Sequence, residues 1–161
     1  MSYTNIKSGE PATSYIKTAL MMGKNVVTSN KGPIALYYKE LKELADSNNV
    51  YLKFEGTVMS GTPIFNLIEN TLLGNTIKSI KGILNGTTNF ILTKMETDGL
   101  TYNEALKLAQ KLGYAEADPT ADVEAYDALA KVLILSNVVF GGSLKLKDVY
   151  REGITGITRE E

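Results

Sequence analysis

Apolar residues recur at three- and four-residue spacing through most of this chain, interrupted by glycines, prolines and short β-branched runs. Ile16, Ala19 and Leu20 share one face of a helix predicted over residues 11–22, which Gly23 ends in left-handed geometry. A short strand over 25–28 follows. Ile34, Tyr37, Leu41, Leu44 and Ala45 predict a second helix over 33–47, with Pro33 in its first turn, and then a strand over 50–55. Helix, strand, helix, strand is the alternation in which crossover helices join parallel strands.

The second half is richer in helix. Ile64, Leu67, Ile68 and Leu72 predict a helix over 63–73 that stops near Gly74-Asn75, and residues 76–84 alternate as a strand whose apolar face is not cleanly resolved. A further helix spans 87–97 before the Asp98-Gly99 turn. Thr101 and Glu104 have the spacing of a capping box, opening a helix with Ala105, Leu108, Ala109 and Leu112 as its buried stripe, up to Gly113. The next helix begins near Asp122 and reaches about Val139, where Gly141-Gly142 breaks it. The β-branched residues of 149–158 predict one more strand.

Composition narrows the chemistry. Seventeen basic and eighteen acidic residues leave a net charge of −1, so there is no basic excess for nucleic acid or an anionic membrane. No apolar run approaches the roughly 18–20 residues that span a bilayer, and the opening residues lack the apolar core of a signal peptide. A cytoplasmic protein with small-molecule or protein partners is the expectation. With neither cysteine nor histidine, disulfides, thiolate catalysis, Ser-His triads and imidazole metal sites are excluded. Any acid or base is Lys, Asp, Glu or Tyr.

Four groupings could carry chemistry, and each has a plainer explanation. Tyr38 and Lys42 have the spacing of a catalytic tyrosine and lysine pair, but Tyr3 and Lys7 match as well without a glycine-rich turn, and Lys39, Lys42 and Glu43 read as a solvated helix face. Lys31 lies in VVTSNKGP at the carboxyl end of a predicted parallel strand, where open α/β sheets bind ligands; an ordinary turn lysine explains it as well. FEGTVMSGTPI offers backbone carbonyls between a strand and a helix, for a hard cation or as a helix-capping turn. Glu116, Asp118, Asp122, Glu124, Asp127 and Lys131 crowd one helix start, where the helix dipole favours acids. Asp127 and Lys131 share a face at four-residue spacing, which a surface ion pair also explains. No GxG and no GxxxxGK[ST] occurs, so neither dinucleotide nor P-loop binding follows from motifs.

The run LGYAEADPTADVEAYDALAK resembles the GYxExDPxxDxxxxDxxxK pattern of homoserine dehydrogenases, reproducing Gly113, Tyr114, Glu116, Asp118, Pro119, Asp122, Asp127 and Lys131. NGTTNFIL and SNKGP resemble the same family, and the likeness extends from about Gly9 to Thr158. It implies the end of a Rossmann-type nucleotide-binding domain over 1–60, then a partial substrate domain over 61–161, an α/β to α+β chain with a mixed sheet and helices. It implies NAD(P)-dependent interconversion of L-homoserine and L-aspartate 4-semialdehyde. Lys131 and Lys31 would be catalytic, Glu116, Asp127 and Asp122 would bind substrate, and Lys31 and Gly113 would lie against NAD or NADP. Asn85, Gly86, Thr87 and Thr88 would form a polar lip. A sodium ion would sit at Glu55, Val58, Ser60 and Thr62, although the family's usual EATVGAGLPI differs at Gly56, Met59, Ser60 and Thr62.

Family members begin with a glycine-rich βαβ region and continue past REGITGIT, so the chain is expected to be a fragment or a short paralogue, inactive alone. Unpaired strand edges predict a homo-oligomer. The alternative is a non-catalytic module that binds a small amino acid or a partner chain.

Overall fold

The computed structural model describes residues 4–158, a helix-rich chain with a small parallel sheet, as a partial α/β domain has. Its contacts divide it into two compact units. One takes residues up to Ile80 together with Ala130–Val149, and the other takes Lys81–Leu129 with the residues from Tyr150 onward.

In the first unit, α1 (Ala12–Met21) buries Ile16 and Leu20, as its spacing predicts. Strands β1 (Val26–Val27) and β2 (Leu52–Lys53) pair in parallel with Val26 opposite Leu52. Between them α2 (Lys31–Ser47) opens behind Asn30, whose side chain accepts from the Gly32 N–H at 3.2 Å. Pro33 occupies the first turn, where its missing N–H costs nothing. Ile34, Leu41 and Ala45 are buried, and α2 bends at Tyr37. After β2 come two short helices, α3 (Gly56–Met59) and α4 (Phe65–Asn70). Phe54 joins α4 to α2 through edge-on rings, with centroids 5.4 Å from Tyr38 and 5.0 Å from Phe65.

The second unit packs α5 (Gly86–Asp98) on α6 (Tyr102–Lys111) around Ile91, Met95, Ala105 and Ala109. Gly99 ends α5 at φ +69°, the left-handed geometry glycine adopts without a Cβ clash. The predicted capping box opens α6: the Thr101 N–H donates to the Glu104 carboxylate at 2.8 Å, and the Thr101 hydroxyl accepts from the Glu104 N–H at 3.4 Å. Beyond a loop stand α7 (Thr120–Val123) and α8 (Tyr126–Val139), the latter crossing from this unit into the first.

Four expectations need correction. Residues 76–84 form no strand: Ile83 is exposed, and the sheet among the described residues consists of β1 and β2. Residues 149–158 form no strand either, because Ile154 and Ile157 pack singly against the α5–α6 core instead of joining a ladder. The helix predicted over 63–73 keeps six residues, Phe65–Asn70. The helix predicted from Asp122 is two helices, parted at Ala125 by a φ of +56°.

Ile91 is fully buried, so Ile91→Ala leaves a cavity and is expected to lower unfolding free energy by about 2–5 kcal/mol in urea titrations. The Glu104 carboxyl is held below the usual range by the hydroxyl, then the N–H, of Thr101. A depressed folded value contributes stability above the ordinary glutamate value, and that contribution is lost as pH falls through the folded one. Thermal melts should therefore find Glu104→Ala less stable at pH 7, converging with the parent below about pH 4.

Candidate active site

Asn85 precedes α5 in extended geometry and caps it: the side-chain oxygen accepts from the Thr88 N–H at 2.8 Å and the Thr88 hydroxyl at 3.0 Å. With the oxygen committed to the helix, the NH₂ group must face the other way. It donates to Asp122 at 2.6 Å and to Asp127 at 3.1 Å. In one continuous helix, positions five apart point about 140° from each other. The break at Ala125 removes that constraint, and both carboxylates turn to one amide. Each also lies in the first turn of its own helix, where the dipole favours negative charge.

The loop entering α7 is tied to the same place. Gly113 leaves α6 at φ +79°, and space for a Cβ there is open. The buried Thr87 hydroxyl donates to the Tyr114 carbonyl at 2.7 Å, while the Tyr114 ring stacks on Phe90 with centroids 4.5 Å apart. Gln110 donates to the carbonyls of Glu116 and Ala117 at 3.2 and 3.3 Å. The Glu116 backbone is thus anchored to α6 while its side chain stands in solvent. Asp118 instead accepts from the Thr120 hydroxyl at 2.6 Å and its N–H at 3.1 Å, which lowers the Asp118 carboxyl below its ordinary range and opens α7.

In the first unit, Lys31 is the first residue of α2, just past the end of β1, and is half-buried. Lys131 stands on α8 one turn beyond Asp127 and is only 8% exposed. Near β2, Glu55 accepts from the N–H groups of Ile64, Phe65 (2.8 Å) and Asn66 (2.9 Å), realising the capping-turn alternative for this loop. Ser60 takes φ +52°, Val58 is buried and the Thr62 N–H donates to Met59 at 2.9 Å. A carboxylate has about four lone-pair directions, so three N–H donors leave Glu55 one for a cation. Among the described residues no three His, Cys, Asp or Glu side chains converge on a metal site, so an ion here would depend on main-chain carbonyls. A cleft of about 230 Å³ opens beside Glu55, lined also by Phe54, Phe65, Asn66 and Glu69.

Asn85 therefore unites two of the predicted acids, Asp122 and Asp127, and the Gln110 and Thr87 bonds fix the loop that carries Glu116. Sequence reasoning placed Asn85 at a helix start but missed its second hand, because the partners lie 37 and 42 residues onward. It also missed Arg151, whose guanidinium sits 4.1 Å over the Tyr126 ring. No local motif signals either contact.

Among the described residues no helix is long and apolar enough to cross a membrane. Residues 63–161 match the family described as homoserine dehydrogenase. An NAD(+)-dependent homoserine dehydrogenase of Pseudomonas canavaninivorans is 52% identical over 99% of this chain and 45% of its own length. A homoserine dehydrogenase structure from Thiobacillus denitrificans superposes with TM-score 0.88 at 44% identity, over 94% of this chain and 35% of that one. A hyperthermophilic archaeal homoserine dehydrogenase in complex with NADPH gives TM-score 0.81 at 42% identity, over 92% and 46%. The chain spans about half the length, or less, of the relatives it matches.

Asn85→Ser keeps a capping oxygen but loses the amide donors, and should cost about 1–3 kcal/mol in urea unfolding. Asn85→Asp also caps, yet sets a third carboxylate beside two. Like charges favour the protonated form in the fold, so its deficit should exceed that of the serine variant at pH 7 and shrink as pH falls toward 4.

Proposed function

The chain belongs to the homoserine dehydrogenase family, and on that premise we propose that it carries the substrate-handling part of an enzyme interconverting L-homoserine and L-aspartate 4-semialdehyde. The observation that carries this reading is the pair of carboxylates gathered by Asn85 within the motif that the family resemblance marks. Two acids held side by side suit the α-ammonium group of an amino acid, and Asp127 with Glu116 is assigned that contact. Asp122 completes the anionic wall.

The reacting oxygen falls to the lysines. When an aldehyde carbon accepts hydride, negative charge builds on its oxygen, and a positioned ammonium stabilises and protonates it. Lys131 donates that proton from Nζ during reduction and takes the hydroxyl proton back during oxidation. Burial on α8 supports the role, since a shielded ammonium acts more strongly than a solvated one. Lys31 shares the duty from the end of β1. NAD or NADP supplies or receives the hydride when bound.

By the family resemblance Lys31, which follows a parallel strand, is assigned to the nicotinamide end of such a cofactor, as is Gly113, where a Cβ would meet open space. The glycine-rich turn that would grip the pyrophosphate is not in this sequence. A sodium ion at Glu55, with the carbonyls of Val58, Ser60 and Thr62, uses the one lone-pair direction that the α4 cap leaves. The division into a nucleotide-domain remnant over 1–60 and a substrate region over 61–161 belongs to the same reading, as do a cytoplasmic location and self-association through the edges of β1 and β2.

The test is homoserine oxidation with NAD and with NADP, by the chain alone and after addition of a separate glycine-rich nucleotide domain. Turnover is expected only with that domain present, and Lys131→Met or Asp127→Asn should then lower it by about 10²–10⁴-fold. A folded chain that yields no turnover in either arrangement rejects the enzyme reading and leaves the binding module.

A further inference from the structure

The residues following Tyr150 do work that the proposed reaction does not use. The Ile154 N–H donates to the Val123 carbonyl at 2.8 Å, and Arg151 Nη1 donates to the Glu124 carbonyl. The Arg151 guanidinium lies over the Tyr126 ring, and the Thr155 hydroxyl donates to the Glu124 carboxylate at 3.0 Å. Gly153 comes so close that a Cβ would fall 2.7 Å from the Val123 carbonyl and 3.0 Å from the Glu124 Cα.

These contacts fall on Val123, Glu124 and Tyr126, either side of Ala125. That alanine holds a left-handed conformation which non-glycine residues rarely adopt, so something outside it must impose the turn. The carbonyls of Val123 and Glu124 lie at the end of α7, where helical partners run out, and residues 151–155 supply donors and a cation there. Asp122 and Asp127 flank the gripped segment. The grip therefore acts on them only through the backbone between.

We propose that residues 151–155 form a brace that fixes the α7–α8 joint and so aims Asp122 and Asp127 at the substrate, with Arg151 a positioning residue for the carboxylate pair. Arginine suits the place because one planar group stacks on Tyr126 while an edge N–H reaches the Glu124 carbonyl. Glycine at 153 is required by the close approach, and the threonine hydroxyl keeps the Glu124 side chain on the brace. That the pair receives a substrate rests on the reading of the preceding subsection; that the brace sets the pair does not.

The Asn85 side-chain NH₂ signals in ¹H–¹⁵N spectra report the carboxylates directly, and the Leu20 methyls report the core of the first unit. In the full chain, Arg151→Ala is expected to shift the Asn85 signals, leave the Leu20 methyls in place and weaken L-homoserine binding about 10- to 100-fold by calorimetry. Arg151→Lys, which keeps a donor but not the stacking plane, should recover part of that loss. Should Arg151→Ala not fold, Thr155→Val and Gly153→Ala take its place and should move the same Asn85 signals. Unmoved Asn85 signals in the folded variants overturn the brace, as does undiminished homoserine affinity. If the parent chain binds no homoserine, the substrate reading fails, and the Asn85 signals still decide the brace.

Discussion

A single side chain amide holds the second unit's candidate chemistry in place. Asn85 gives its oxygen to the first turn of α5 and its NH₂ to Asp122 and Asp127, so helix geometry fixes the amide and the amide fixes the acids. Two ionised carboxylates drawn to one amide repel each other. Two charge-assisted hydrogen bonds of about 1.5–3 kcal/mol each offset that repulsion.

The other contacts of that unit have meaning in relation to this amide. The α5 helix is a fixed reference because Ile91 and Met95 lock it against α6, and Thr87 extends the lock to the loop through the Tyr114 carbonyl. Asp118 terminates that loop by opening α7, so the acid nearest Pro119 has a structural use distinct from its neighbours. Acids crowded in sequence thus divide their labour: Asp118 holds the turn into α7 through Thr120, Asp122 and Asp127 converge, Glu124 binds the tail and Glu116 faces solvent.

Helices were mostly legible in the sequence where periodicity and punctuation agreed, although the one expected over 63–73 keeps only Phe65–Asn70. Thr101 with Glu104, Gly99 and Gly113 mark their ends by local geometry, and the structure has a helix end at each. The strand expected over 76–84 rested on alternation and that over 149–158 on β-branched content, and neither says whether a partner strand exists. Ile154 and Ile157 found a helical surface instead. In the site, the spacing of Asp122 and Asp127 was visible, but an unbroken helix would have parted them. The left-handed alanine that brings them together has no sequence signature, because alanine is the residue expected to continue a helix. The cap at Asn85 was legible in kind; its long-range partners were not.

Lys131 bears on whether this geometry serves stability or chemistry. Its neighbours among the buried positions of α8 are Leu129, Ala130, Leu133, Ile134 and Leu135, a surface for packing. Along such a stripe a leucine would fill comparable volume without the cost of drawing an ammonium out of water, and replacing buried charges by apolar groups is often neutral or stabilising. The lysine stem covers apolar surface, but a methionine would do the same. What neither substitute supplies is a proton and a positive charge at a shielded position, one turn from an acid whose direction Asn85 has set. Lys131 makes a polar interaction that offsets part of this cost, and its ammonium is the proton source that the proposed aldehyde reduction would use.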